Sequence, residues 1–235
     1  MMCVRLFKQM VKQIAGEAML LLLVIAPVLA GLLFRFGIPF LEAMVLSRFG
    51  LETILVPFYP YFNWLLSLLC GMLFAFVGAL VVLGEIDDGI SRYLCVTPIG
   101  ANGYLAARIF IPALVSGVVD SVLIPIFSLV SVEFAALVVM VVSSMLSGII
   151  TSLLVIALSS NKVEGMAIGK LAGGFGMVLF VPLVVKGPVA YVFSLFPMFW
   201  VGKYVQNESI MELLLSLALF VAWIYLLERR FRRKI

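Results

Sequence analysis

Glu85, Asp87, Asp88 and Arg92 crowd into one short stretch of a chain in which only 12% of residues are charged and 65% are hydrophobic. Carboxylates this close are a candidate divalent-cation site, and the same set with an arginine is a candidate for docking a protein partner through ion pairs. Spacing separates the two. Asp87 and Asp88 are adjacent, so on a helix their side chains splay by about 100° rather than face one ion. Ile86, Ile90, Tyr93, Leu94 and Thr97 follow helical spacing, with Asp87, Asp88, Ser91 and Arg92 opposite them. The pattern predicts a short amphipathic helix over 85–97, one face pressed to the protein and the other offered to a partner. Pro98 stops it, and Gly100 with Gly103 lets the chain turn. A solvated hairpin with one helical turn is the plainer alternative.

Other chemistry is missing. There is no histidine, which removes His-based metal sites, Ser-His-Asp and Cys-His triads, and the commonest general base near neutral pH. No G-x-x-x-x-G-K-[ST] loop occurs, so an ATP-driven role requires a partner subunit. Asp88-Gly89-x-x-Arg92 partly resembles the aspartate-rich motif of membrane alcohol phosphotransferases. However, Ser91 stands where that family has alanine, and the downstream G-x-x-x-D-x-x-x-D is missing. Cys3, Cys70 and Cys95 fall in an inner leader, a span and an inner loop, which is no disulfide framework.

The elements that position this loop are membrane spans. Mean hydropathy is +1.26 over 235 residues. Runs such as Ala18–Phe34 and Asn63–Gly84 are long enough to cross about 30 Å of hydrocarbon. Six spans are expected, over 18–34, 62–84, 104–131, 134–159, 171–194 and 211–227, the third broken by Pro112 and Pro125, the fifth by Pro182 and Pro188. The fifth has an alternative end near Val185, which would leave 188–201 as a re-entrant or surface helix. An inner N-terminus puts Arg5, Lys8, Lys12, Arg92, Arg108, Lys162, Lys170, Arg229, Arg230, Arg232, Arg233 and Lys234 inside. Arg35, Arg48, Lys186 and Lys203 then lie outside. That bias predicts both termini in the cytoplasm. The net charge of +4 reads as attraction to anionic inner-leaflet lipid, not as a nucleic-acid footprint.

Residues 3–15 read as an interfacial helix rather than a cleaved signal. Val4, Phe7, Met10, Val11 and Ile14 share its apolar face, and Arg5, Lys8, Gln9, Lys12 and Gln13 its polar one. Outside, aromatics at 58–64 and 193–204 suit a headgroup boundary, either as anchors or on short helices that dip back in. Within the spans, ionisable groups are sparse. Asp120 is the main one, a substrate contact or proton site if deep and a hydrated residue if near the outer headgroups. Ser67, Gly71, Ser116 and Asp120, with the Gly173-Gly174-x-Gly176 cluster, are the candidate substrate path. The glycines have a competing use in close helix packing.

Three stretches together resemble the permeases of the ABC-2 exporter family. The first is Glu85-Ile-Asp-Asp-Gly89 followed by Leu94-Cys-Val-Thr97-Pro98. The second is Ser159-Ser-Asn161-Lys162-Val-Glu164-Gly165-Met166-Ala-Ile-Gly-Lys170. The third is Pro182, Pro188 and Leu195-Phe196-Pro197-Met198-Phe199-Trp200. Ile90 departs from the threonine that many members have there. The resemblance implies a single transmembrane domain over 1–235, all-α, with six transmembrane helices, an N-terminal interfacial helix and short outer re-entrant or surface helices. It implies a transport subunit and not an enzyme, in a multi-pass bacterial plasma membrane. It also implies pairing with a second permease copy or a homologous permease, contact with membrane lipid, and nucleotide-binding ATPase subunits that carry the ATP and magnesium. Contact with the ATPase maps onto 3–15 and onto Glu85, Asp87, Asp88, Gly89 and Arg92, with Thr97 and Pro98 ending the coupling helix. The expected cargo is amphipathic, lipid-like or a peptide. A non-transporting subunit of an immunity or sensory complex is the alternative within the fold, and an ion-coupled carrier the alternative outside it.

Overall fold

The computed structural model describes residues 2–49, 55–91, 93 and 100–232, which form helices and their connections. Among the described residues six helices are long and apolar enough to cross a membrane: Ala18–Ser47, Val56–Asp87, Asn102–Phe127, Phe134–Leu158, Lys162–Val184 and Ile210–Arg232. The chain is an all-α polytopic membrane protein. A separate leader helix, Met2–Gly16, precedes them.

The second and fourth spans form the axis, 67% and 72% buried over their most apolar windows, against 17% for the first and the sixth. Small residues bring the axial pair together. A Cβ on Gly71 would strike the backbone of Ser144, and one on Gly148 would lie 2.7 Å from the Gly71 carbonyl oxygen. Ser144 donates to the Ser67 carbonyl at 2.6 Å and Ser152 to the Ala75 carbonyl at 2.5 Å. Lipid tails are as apolar as leucine, so close packing and bonds of this kind hold such helices together.

Contacts between the ends fix how the spans run. Asp87, closing the second span, meets the backbone of Lys162, opening the fifth. Leu6 of the leader meets Arg108 near the start of the third. These groups define a leader end. At the far end, Glu133 and Glu208, which precede the fourth and sixth spans, line one cavity. Asn63 pins the connection after the third span there, donating to the Val130 carbonyl and accepting from Leu129 N–H.

Prolines and caps explain where the spans depart from the expected bounds. The first, expected over 18–34, continues as helix to Ser47. Arg35 does not stop it, because its guanidinium donates to the Ser128 carbonyl at 2.5 Å, just past the end of the third span. A π turn, Leu33–Gly37, precedes Pro39, which offers no N–H to the Arg35 carbonyl. Ala106–Phe110 stands in the same relation to Pro112. The fifth span, expected over 171–194, starts at Lys162. Asn161 accepts from Glu164 N–H at 2.8 Å while the Glu164 carboxylate accepts from Ser160 N–H at 2.6 Å, a reciprocal cap.

That span ends at Val184, so 185–194 is not part of a continuous helix. Pro188–Leu195 is a 3-10 stretch and Pro197–Asn207 a helix. They pack back along the bundle. Phe196 meets Phe175, nine residues before the end of the fifth span, and stacks on Trp223, thirteen residues into the sixth. The Trp223 indole donates to the Leu195 carbonyl at 3.0 Å, and Phe199 is fully buried. These aromatics do more than anchor a surface.

Candidate functional site: the leader-end junction

The end of the second span is held by a buried ion pair. Glu85 is 4% exposed and Arg108 1%. The guanidinium donates to both Glu85 oxygens, through Nε at 3.2 Å to one and through Nη2 to the other. Tyr104, one turn before Arg108, donates its hydroxyl to Glu85 at 2.8 Å. The remaining guanidinium nitrogen, Nη1, donates to the Leu6 carbonyl at 2.8 Å. Three elements therefore share one arginine: the leader, the end of the second span and the start of the third. Gly78 makes room for it, since a Cβ there would lie 2.7 Å from the Arg108 carbonyl oxygen.

A second, solvent-facing node lies beside the first. Lys162 pairs through its ammonium with Glu17 at 2.5 Å and through its backbone N–H with Asp87 at 2.9 Å. Glu17 is the hinge between leader and first span. Asp87 caps an open donor at the start of the fifth. Leader, first, second and fifth spans meet at this lysine.

The residues singled out from sequence thus separate. Glu85 faces inward as a strut, Asp87 reaches across to the fifth span, and Asp88 is exposed. Gly89 takes a positive φ of 71° and closes the second span, its N–H bonded to the Ile86 carbonyl. The turn resets the helical register. Ser91 is buried while Ile90 and Tyr93 are 42% and 71% exposed, which reverses the faces expected from continuous spacing. Arg92, Thr97 and Pro98 lie outside the described residues.

In the leader, Leu6 and Met10 are buried and Phe7 and Ile14 half-buried, with Lys8, Gln9, Lys12 and Gln13 exposed. Val11, expected on the apolar face, is 48% exposed, and Leu6 takes its place in the packing. Sequence reasoning missed the Arg108–Tyr104 pair. Its signal was two polar residues one helical turn apart at the mouth of a span. Glu42 was missed as well: its carboxylate accepts from Leu55 N–H, Val56 N–H and the Tyr59 hydroxyl, and so holds the first and second spans together at the far end.

Four of the candidate path residues come together, while Gly173, Gly174 and Gly176 lie apart from them, along a groove between the second and fifth spans. Ser67, Gly71, Ser116 and Asp120 are all buried between the second, third and fourth spans. Ser67 donates to Asp120 Oδ2 at 2.5 Å, and Cys70 donates to the Ser116 carbonyl at 3.7 Å. Asp120 Oδ1 accepts no hydrogen bond among the described residues, and no base pairs with it there. Among those residues no group of three or more Cys, Asp or Glu could hold a metal. At the leader-end junction the leader and the ends of four spans are held together by two ion pairs and their hydrogen bonds.

A family model described as fluoroquinolones export permease protein Rv2686c-like matches residues 10–228. Two proteins of Mycobacterium tuberculosis are each 27% identical to the chain over 239 residues, covering 93% of it and 89% of themselves. They are fluoroquinolones export permease protein MT2760 of strain CDC 1551 / Oshkosh and fluoroquinolones export permease protein Rv2686c of strain ATCC 25618 / H37Rv. No solved structure matches.

Proposed function

The chain belongs to the Rv2686c-like family of ABC-2 exporter permeases, and on that premise we propose that it moves amphipathic, drug-sized compounds out of the cell using ATP hydrolysed by a separate subunit. Proteins of this family are transport subunits without a catalytic site of their own. Fluoroquinolones are the first cargo to test, because the relatives' names give them.

The observation that carries the reading is the leader-end junction. Glu85–Arg108 and Glu17–Lys162–Asp87 tie the leader to the first, second, third and fifth spans. In this reading the junction faces the cytoplasm, both termini lie there, and the ATPase docks on the exposed polar face of the leader and on Asp88 and the loop that follows. Glu85 then acts as a strut that passes the push inward, while Arg92 and the Thr97-Pro98 end remain part of the docking loop. A second permease, identical or homologous, completes the path. Residues 188–207, folded back along the fifth and sixth spans, are its outer re-entrant cap.

Co-purification tests this. A nucleotide-binding subunit should be recovered with the chain, and its ATP hydrolysis should rise when a fluoroquinolone is added. Recovery of an ATPase-free assembly that still moves the compound down an ion gradient would sink the proposal.

A further inference from the structure

The far end of the bundle holds a cavity of about 350 Å³ that the leader-end junction does not use. It is enclosed by the start of the second span, the connection before the fourth, the fourth span itself and the close of the outer helix Pro197–Asn207. Small-molecule sites enclose about 300–1,000 Å³, so the space suits one end of a drug-sized compound.

The charge lining it is of one sign. Glu133 and Glu208 face the cavity, and no lysine or arginine lines it. Neither carboxylate has a hydrogen bond or an ion pair among the described residues. Glu133 sits at the N-cap of the fourth span yet makes no capping bond. Lys203, the base nearest Glu208 in the chain, is turned onto Tyr191, its ammonium 4.2 Å from the ring centroid. Two like charges on one concave wall favour a cation between them.

The other walls select the kind of cation. Trp64 lines the cavity at 5% exposure, and its indole N–H meets no acceptor among the described residues. A buried tryptophan N–H ordinarily finds a partner, so this donor is left for a ligand. Tyr204 adds a second ring, and Met140 with Val205 an apolar side. Aromatic faces attract organic cations. A divalent metal takes about six or more oxygens, and no third carboxylate joins these two among the described residues. We propose that this cavity binds the ammonium end of an aromatic amine, with Glu133 and Glu208 on the cation and the Trp64 N–H on an acceptor of the same molecule. In a chain that exports drug-sized compounds the site lies on the release side. That role rests on the transport reading, and the binding itself does not.

Equilibrium binding to the purified permease, in EDTA and without any ATPase, tests the site apart from transport. The probes are norfloxacin, whose piperazine amine is protonated at neutral pH, and N-acetylnorfloxacin, which lacks that charge. The wild type should bind norfloxacin about fivefold more tightly, the upper end for an exposed ion pair. Glu133→Gln combined with Glu208→Gln should bind the two alike, and Trp64→Phe, which keeps the ring, should weaken both. Equal binding of the probes by the wild type overturns the proposal. So does a preference that survives in the double variant, since the amine would then sit elsewhere. Stoichiometric calcium binding to the drug-free permease in EDTA-free buffer, lost in the double variant, would make this a metal site and overturn it as well. A permease that binds the amine as described but exports nothing supports the site and counts against the transport reading. Should Trp64→Phe fail to accumulate, the carboxylate variants still decide.

Discussion

Glu85 and Asp120 are both buried carboxylates, and the chain treats them in opposite ways. Glu85 receives a guanidinium and a phenol, and its arginine is tied on to a third element. Asp120 receives one serine hydroxyl, with its other oxygen unbonded among the described residues. The first arrangement supplies a counter-charge and fixes geometry across three elements. The second supplies none and belongs to a seam of serines and glycines that lets spans pack closely. Among the described residues the ion pairs between elements therefore lie at the leader end.

The largest effect that would break this contrast is loss of one Glu85 partner. Arg108→Ala or Glu85→Ala leaves an uncompensated buried charge and should cost about 3–5 kcal/mol. The double change Glu85→Met with Arg108→Met should recover much of that, read as the melting temperature in detergent. A double variant no more stable than the singles would show that the pair is not acting as a unit. Next comes the seam. Gly71→Ala forces a methyl against the Ser144 backbone and should cost about 1–3 kcal/mol by overpacking, checked in the same melt. Gly173→Ala, where nothing is crowded, is its control and should raise the melting temperature slightly, since alanine favours a helix interior over glycine.

Smaller still is Asp120→Asn. The amide keeps the shape and an acceptor for Ser67, so stability should stay within about 1 kcal/mol, the scale of a single net hydrogen bond. Transport of cationic cargo should be unchanged if Asp120 belongs only to the seam, and uptake into inverted vesicles checks it. The smallest effect on folding is Glu17→Ala. Its partner lysine is part-exposed, so about 0–1 kcal/mol is at stake, yet the tie between leader and fifth span is lost. The melt should hardly move while drug-stimulated ATP hydrolysis in the complex falls.

Hydropathy alone was enough to count six apolar helices, because a run of apolar residues has few other uses, and the leader's periodicity marked its helix. The start of the fifth span was hidden: Lys162, Glu164 and Lys170 lower the apolar signal over turns that a cap nonetheless makes helical. Glu85 read as one more loop charge because it stands two residues from Asp87. What sets it apart is Arg108, on another span, and no local pattern encodes a pairing across that separation. Gly89 was legible as a glycine, but its consequence was not: its positive φ precedes a change of face at Ile90, Ser91 and Tyr93.

In the proposed coupling, ATPase motion reaches the spans through the leader-end junction. The most direct measurement is drug uptake per ATP hydrolysed in inverted vesicles holding the permease with its ATPase, comparing the wild type with Asp87→Ala combined with Lys162→Ala. Subunit stoichiometry should be unchanged and ATP hydrolysis should continue, while drug moved per ATP should fall. Undiminished uptake per ATP in that variant, or ATP-independent uptake by the permease alone, would contradict it.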